Sequence, residues 1–450
     1  MFSQAFKFLK NDDYQVPPGF QFVETYFVFD VKMDLTRKAR LVARGSMTEA
    51  TKEETFASVV SRDTVRLFFL LAALNDLEVL SCDIQNAYLA APKKKKVWTK
   101  FTHQHGPEYD GKKAIIAKAL YGLRSSGRSF REYLAIDWRE LGFVSSKADP
   151  DLWMRSAKKA NGDHIYEYVI SYVDNLVFQG IDPSSFLDAL GKRFTLKPGS
   201  NKEPDSYLGA NVKKLRILQS NGPEKVRWAF ESLSYVTKAM KDVERELAEA
   251  DMKLMPNVKT PLASGYRPEL DLSPELGSKQ LNYFQGLIGI LRWICELGRI
   301  DILMPVSILS RYLVSARQSH LEQAFHIFAY LKTHSRLTMV FDNTMPTYRS
   351  NRFIKCDWPK FYPDAAEAIP NNMPQPRGKE VCMSCFVDAD HAGCRKTCRS
   401  HSGIIIFVNR APILWFSKRQ NTVEASTYAN RNRNDRGLEI QVADDGRAHP

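Results

Sequence analysis

Long hydrophobic runs are missing from this chain. Across 450 residues the longest uninterrupted apolar stretch is Leu67 to Leu74, far short of the roughly 20 residues a helix needs to cross a bilayer. A secretory leader is missing too. The N-terminus reads Met-Phe-Ser-Gln-Ala-Phe-Lys, soon reaches Asp12-Asp13, and has no apolar core or cleavage site. There are no internal repeats. Cysteine is sparse, with seven residues in all. These absences exclude a transmembrane helix and a disulfide-stapled secreted fold, and point to an intracellular protein with reduced thiols. What is present is a globular composition, 44% hydrophobic and 26% charged, long enough for two or more domains. The formal charge of +13 favours a polyanionic partner, nucleic acid first and an acidic membrane second.

The stretch with most to say is Tyr172-Val173-Asp174-Asn175. Strand-forming residues flank it, Tyr168 to Val173 before and Leu176-Val177-Phe178 after. Asp and Asn tolerate the φ > 0 of tight turns, so this predicts a β-hairpin with one acid at its tip. Read alone it is a turn with a solvated Asp. Leu77 to Ile84 predicts a strand running out near Asp83. An acid there is costly unless it meets a cation or a donor.

Other segments follow from periodicity. Thr64 to Leu77 predicts a buried helix, and Ala114-Ile115-Ile116 a strand. Arg124 to Arg128 makes a basic turn before a helix through Phe130 and Leu134. Residues 184–196 look helical, Tyr207 to Val212 begins a short hairpin, and 232–250 reads as a charged amphipathic helix. Phe284, Leu287, Ile288, Leu291 and Ile294 share one helix face, and Leu321, Ala324, Phe325, Phe328 and Leu331 another. Residues 336–378 are proline-broken and predict a linker. Strand character resumes from Val381. Cys382, Cys385, Cys394 and Cys398 lie close in sequence with His391 and His401, which fits either a zinc site or ordinary hairpin residues.

Asp83 and Asp174 are far apart in sequence, and each sits where a strand ends. Two such carboxylates brought together hold divalent ions that activate a primer 3′-hydroxyl and neutralise pyrophosphate. In order along the chain come Lys38-Ala39-Arg40-Leu41-Val42-Ala43-Arg44, Glu54-Thr55-Phe56-Ala57-Ser58, Asp83-Ile84-Gln85-Asn86-Ala87-Tyr88-Leu89, Ala119-Leu120-Tyr121-Gly122-Leu123-Arg124 and Tyr172-Val173-Asp174-Asn175. This ordered set resembles the reverse transcriptase and ribonuclease H region of copia-type LTR retrotransposon Pol polyproteins, over roughly residues 25–430.

The resemblance implies an α+β right-hand polymerase, followed by a connection and a partial ribonuclease H-like domain. It implies fingers at 21–80, palm at 81–215 and thumb at 216–280, while the polar residues 1–20, with Pro17-Pro18-Gly19, read by themselves as a leader or imported edge. A helical connection at 281–335 and a linker at 336–378 would follow, then a truncated ribonuclease H-like part at 379–430 and an off-pattern tail at 431–450. Asp83 and Asp174 would hold Mg²⁺ or Mn²⁺. Lys38 and Arg40 would reach the triphosphate. Tyr88 would exclude a ribose 2′-hydroxyl, and Gly122 would let the backbone approach the nascent pair. Lys197 would protonate pyrophosphate, or else is a helix-end cation. Tyr207-Leu208-Gly209 would grip the primer, and Asp388 would be a ribonuclease H metal ligand. Implied partners are an RNA or DNA template with primer and deoxynucleoside triphosphates, in the cytoplasm, within a virus-like particle, or in the nucleus.

Two departures qualify this. Asn175 stands where the family has a second hairpin acid, removing a negative charge but keeping an oxygen acceptor. Arg431 stands near where a catalytic Glu of the ribonuclease H part is expected. Weakened polymerisation and lost ribonuclease H activity are therefore expected, with no protease, integrase or capsid segment. A nucleic-acid-binding remnant without chemistry, or a decaying reading frame, are the alternatives.

Overall fold

The computed structural model describes residues 5–9, 15–31, 37–48, 56–92, 95–219, 222–347, 360 and 372–423. Its architecture is α+β, as expected. The chain forms two compact units, Met1–Val65 with Leu77–Glu203, and Arg66–Asp76 with Pro204–Pro450. No helix among the described residues is long and apolar enough to cross a membrane.

The first unit begins with the short strands β1 (Phe6–Phe8) and β2 (Gln21–Phe22) and the hairpin β3 (Thr25–Val31) and β4 (Arg37–Ala43). Helix α1 (Arg62–Leu74) is divided between the units. Then come β5 (Glu78–Asp83), the single turn α2 (Ala87–Ala90), β6 (Val97–Lys100), β7 (Lys113–Ile116), α3 (Ser126–Glu140), β8 (Val144–Ser145), β9 (Leu152–Lys158), β10 (His164–Tyr172), β11 (Asn175–Gly180) and α4 (Ser184–Gly191). The central sheet runs β5-β11-β10-β9-β8, antiparallel throughout. Its middle strands are apolar because they are covered: Val169, Ile170, Leu176, Val177 and Phe178 are fully buried. Beneath them Trp138 of α3 meets Phe178 edge-to-face at 5.7 Å, the geometry that aromatic quadrupoles favour.

Two expectations change in this unit. The first twenty residues read as a polar leader, yet Phe6–Phe8 pairs with β7 in the sheet β1-β7-β6-β2, and Ala5 and Phe6 are buried. A three-residue strand is too short to show a period. The helix expected over 184–196 ends at Gly191. Residues 195–202 instead run beside β5, through the bridges Ile84–Leu196 and Ser81–Lys202.

The second unit holds β12 (Ser206–Tyr207), the long hairpin β13 (Ala210–Gln219) and β14 (Gly222–Glu231), α5 (Leu233–Glu249), α6 (Ser278–Glu296), α7 (Leu303–Leu309), α8 (Gln318–Thr333), β15 (Thr338–Phe341), β16 (Met383–Ala389), β17 (His401–Val408) and β18 (Ala411–Arg419). The predicted apolar faces of α6 and α8 are the ones buried. Phe284, Leu287, Ile288, Leu291 and Ile294 pack with Leu321, Ala324, Phe328 and Leu331, joined by Val236 and Val243 of α5. Phe325 is only partly buried against this core. Helix α7 has too few residues for a periodic signal, and its Pro305 lies in the first turn, where no amide hydrogen bond is lost. Strand β15 lies inside the stretch expected to be a linker. It pairs with β14, and Phe341 stacks over Phe69 of α1. Residues 348–359 and 361–371 of that stretch, and the tail after 423, lie outside the described residues.

Candidate active site

Asp83 ends β5, and Asn175 opens β11 directly opposite it. Cross-strand partners project from the same face with Cβ atoms roughly 4.5–5.5 Å apart. Asp174 precedes Asn175 in the two-residue turn of the β10–β11 hairpin, and its carbonyl accepts the Ile84 N–H at 2.9 Å. The hairpin and its acid at the tip are as expected. The residue with positive φ is not Asp or Asn but Val173, at +58°. A β-branched residue there is strained. Its side chain packs partly buried against the aromatic core of the sheet, which compensates.

Asp83, Asp174, Lys38, Arg40, Tyr121 and Lys197 line one cleft of about 390 Å³. Lys38 and Arg40 come from β4, and the Arg40 guanidinium also pairs with Asp30 across the hairpin at 3.5 Å. Lys197 places Nζ 3.4 Å from Asp83 Oδ2, and its backbone N–H donates to the Asp83 carbonyl at 2.8 Å. Burial, with repulsion from Asp83, holds the Asp174 carboxyl above its usual range, against the opposing pull of its backbone hydrogen bond, Lys38 and Lys197. Residues distant in sequence thus meet in one electrostatic group.

Tyr88 sits on α2 beside this cleft, its ring 4.7 Å from that of Tyr121 and 6.1 Å from that of Phe130. Burial, then the Asp174 charge, raises both tyrosine phenols. Gly122 has a reason that lies within the chain itself. Its φ is +88°, and a Cβ there would collide with the Ala43 carbonyl and lie 2.6 Å from Val42 Cγ1. A Cβ on Gly45 would strike the Gly122 carbonyl in turn. The close approach that demands glycine is therefore made by the end of β4, where the Ala43 N–H donates to the Tyr121 carbonyl at 2.7 Å.

Sequence reasoning missed Phe6, Phe27, Gln85 and Asn86, which also line the cleft. Asn86 carried a signal: it adopts φ +52°, which Asn tolerates better than most residues. The phenylalanines carried none, since their placement depends on strand pairing.

The remaining expected residues belong to the second unit. Tyr207 closes β12, and Leu208 (φ +49°) and Gly209 (φ +87°) form a tight turn into β13. Asp388 lies on β16 opposite Gly403. The cysteines do not converge. Cys385 pairs with Ile406 in mid-strand, while Cys394 accepts an Arg311 N–H at its sulfur, 3.4 Å away. Among the described residues no group of three or more His, Cys, Asp or Glu side chains is placed to hold a metal ion. Mg²⁺, by contrast, asks for one or two carboxylates plus substrate oxygens. The hard donors Asp83 and Asp174, with the Asn175 amide oxygen beside them, fit that requirement.

The family described as reverse transcriptase (RNA-dependent DNA polymerase) matches residues 6–259. The retrovirus-related Pol polyprotein from transposon RE1 of Arabidopsis thaliana is 25% identical over 402 residues, covering 87% of this chain and 23% of that one. That from transposon TNT 1-94 of Nicotiana tabacum is 24% identical over 442 residues, 93% and 29% of the two chains. A putative transposon Ty5-1 protein of Saccharomyces cerevisiae is 23% identical, covering 75% of this chain and 92% of its own. The chain spans about a quarter of the length of the plant polyproteins it matches. A foamy viral protease–reverse transcriptase, solved in complex with double-stranded DNA, aligns at a TM-score of 0.43 and 13% identity over 88% of this chain and 52% of that one. The family match takes in more than half of the chain, so the chain belongs to the reverse transcriptase family found in transposon Pol polyproteins.

Proposed function

We propose that this chain is by descent an RNA-directed DNA polymerase that adds deoxynucleotides to a primer, weakened in this copy by Asn175. The observation that carries the reading is the convergence of Asp83, Asp174, Lys38, Arg40 and Lys197 on one cleft. Asp83 and Asp174 would hold divalent ions, which when bound supply a Lewis acid for the primer hydroxyl and the leaving pyrophosphate. Lys38 and Arg40 bind the triphosphate by charge. Tyr88, held between Tyr121 and Phe130, blocks a ribose 2′-hydroxyl. Lys197 supplies a proton from Nζ to the departing pyrophosphate oxygen. Tyr207-Leu208-Gly209 would grip the primer. The first unit corresponds to fingers and palm. Residues 379–430 are a ribonuclease H-like part whose activity is lost, because Arg431 stands near where a catalytic Glu is expected.

The test is primer extension on an RNA template with Mg²⁺ or Mn²⁺, with and without Asn175→Asp. Weak or no synthesis by the unaltered protein and a clear gain in the variant are expected. Robust synthesis by the unaltered protein refutes the impairment. A second reading, a nucleic-acid-binding remnant without chemistry, draws on the same Asn175. It predicts duplex binding but no incorporation by either protein.

A further inference from the structure

The four cysteines between 382 and 398 do not converge as a set, yet two of them share one turn. Cys398 takes a φ of +52°, and its N–H donates to the Cys394 carbonyl at 2.7 Å. This is the left-handed cap geometry, in which the first and fifth side chains of the turn meet. The same hydrogen bond keeps the two Cα atoms within the roughly 4.4–6.8 Å that a disulfide spans. Neighbouring groups pin the turn. Arg395 N–H donates to Glu269 Oε1 at 3.0 Å, and Arg267 Nη1 to the Gly393 carbonyl at 3.3 Å.

The two thiols are unlike. Cys398 is exposed, whereas Cys394 is only 5% exposed. Arg311 Nη2 donates to the Cys394 sulfur at 3.4 Å, and Arg311 Nε is buried with no partner among the described residues. A full negative charge on that sulfur is the acceptor this guanidinium lacks. Burial pushes the Cys394 thiol up, but the neighbouring Thr397 and Arg311 outweigh it and hold the thiol at about 7. We propose that Cys394 and Cys398 form a dithiol that exchanges with small-molecule disulfides, Cys398 making the first contact and Cys394 closing the bridge. The Cys398 thiolate attacks the small disulfide, forming a mixed disulfide and expelling one small thiolate. The Cys394 thiolate then attacks the Cys398 sulfur, and the second small thiolate leaves. Two protein thiols are oxidised, one small disulfide is reduced to two thiols, and the protein's two protons pass to these. A small thiol reverses the exchange at the exposed Cys398 sulfur, because the Cys394 thiolate is the better leaving group. The pair lies in the second unit and owes nothing to the polymerase reading.

The exchange is tested by adding oxidised glutathione to the full-length protein. Samples are quenched, free thiols are blocked, and the cysteines are mapped by peptide mass spectrometry without reduction. Trypsin cuts after Arg395 and Lys396, so the bridge shows as two peptides held together. The parent is expected to form this bridge with little glutathione left on Cys398. Cys394→Ser should trap glutathione on Cys398, and Cys398→Ser should leave Cys394 unmodified over the same time. Arg311→Met should slow closure from the mixed disulfide about fivefold at about pH 7, where fewer Cys394 thiols are then ionised. It should speed closure at about pH 10, where Cys394 is ionised in both proteins and the more basic thiolate attacks faster. Absence of the bridge in the parent overturns the proposal, and so does equal glutathione uptake by the two serine variants. Closure that Arg311→Met leaves unchanged, or slows equally at both pH values, overturns it too, the latter marking no more than a loosened turn.

Discussion

At the hairpin tip, three neighbouring residues divide the work. Val173 accepts an unfavourable φ of +58° and anchors the turn by packing. Asp174 carries the charge. Asn175 faces Asp83 across the strand pair with a neutral amide. Like charges directly opposite each other are destabilising. Asn175→Asp is thus expected to lower stability by up to about 1 kcal/mol without metal, and to regain it when Mg²⁺ is added. Thermal unfolding with and without Mg²⁺ checks this, and it should run opposite to the gain in primer extension. A variant more stable than the parent in the absence of metal would contradict the placement of Asn175 beside Asp83. The turn was legible from residue types alone. Which of its residues takes the positive φ was not, because that depends on the register of two strands with a core behind them.

At the scale of elements, two side chains hold structure that no periodicity announces. Arg66, on the part of α1 in the second unit, is buried. It donates to the Ile413 carbonyl and the Glu296 carbonyl, both at 2.8 Å, and pairs with the Glu296 carboxylate at 3.0 Å. Its guanidinium lies 3.6 Å over the Trp415 ring. Arg66→Met keeps the stem but leaves these acceptors without their donor, at an expected cost of about 3 kcal/mol in a denaturant titration. A loss under 1 kcal/mol would show that the clamp is dispensable. In the sequence this arginine is one more cation in a helix.

His320, fully buried at the start of α8, accepts the Arg317 N–H at Nδ1 (2.9 Å) and donates from Nε2 to the Pro268 carbonyl (3.3 Å). Tyr312 stacks on its ring at 4.1 Å. Burial holds the imidazole below its ordinary 6.5, outweighing the Pro268 carbonyl and the Asp271 charge that pull it up, with Arg317 adding to the burial. The native state therefore binds the proton less readily than the unfolded chain. This contribution to stability is complete above pH about 6.5 and is lost as pH falls from there through the lowered value. Asp271, itself held below its usual range, adds a separate loss only below 3.8. Unfolding of the parent should grow easier on acidification below pH about 6.5, and His320→Gln should flatten that slope. Equal slopes in the two proteins would remove His320 from the account.

At the scale of the whole molecule, the net charge of +13 is the broadest statement the chain makes. Binding to a primer–template duplex should weaken at least about tenfold between roughly 50 and 200 mM salt, because each neutralised phosphate releases counterions. Fluorescence anisotropy across that range checks it, and salt-insensitive binding would argue against a phosphate-led contact. This holds for the polymerase and for the binding remnant alike, so only nucleotide incorporation separates the two.

The α+β class came from the resemblance of the ordered motifs to a known family; by themselves the residues determined the helix faces of α6 and α8, the hairpin at Asp174 and the identity of the charged residues. These follow from periods of 3.6 and 2 and from local turn chemistry, which act over a few residues. Tertiary structure alone decided that Phe6 and Phe27 line the cleft, that β15 belongs to a sheet rather than a linker, and that Gly122 answers to β4. It also decided that Arg311 meets the sulfur of Cys394. Each depends on a contact between segments distant in the chain, and no local pattern encodes which segments will meet.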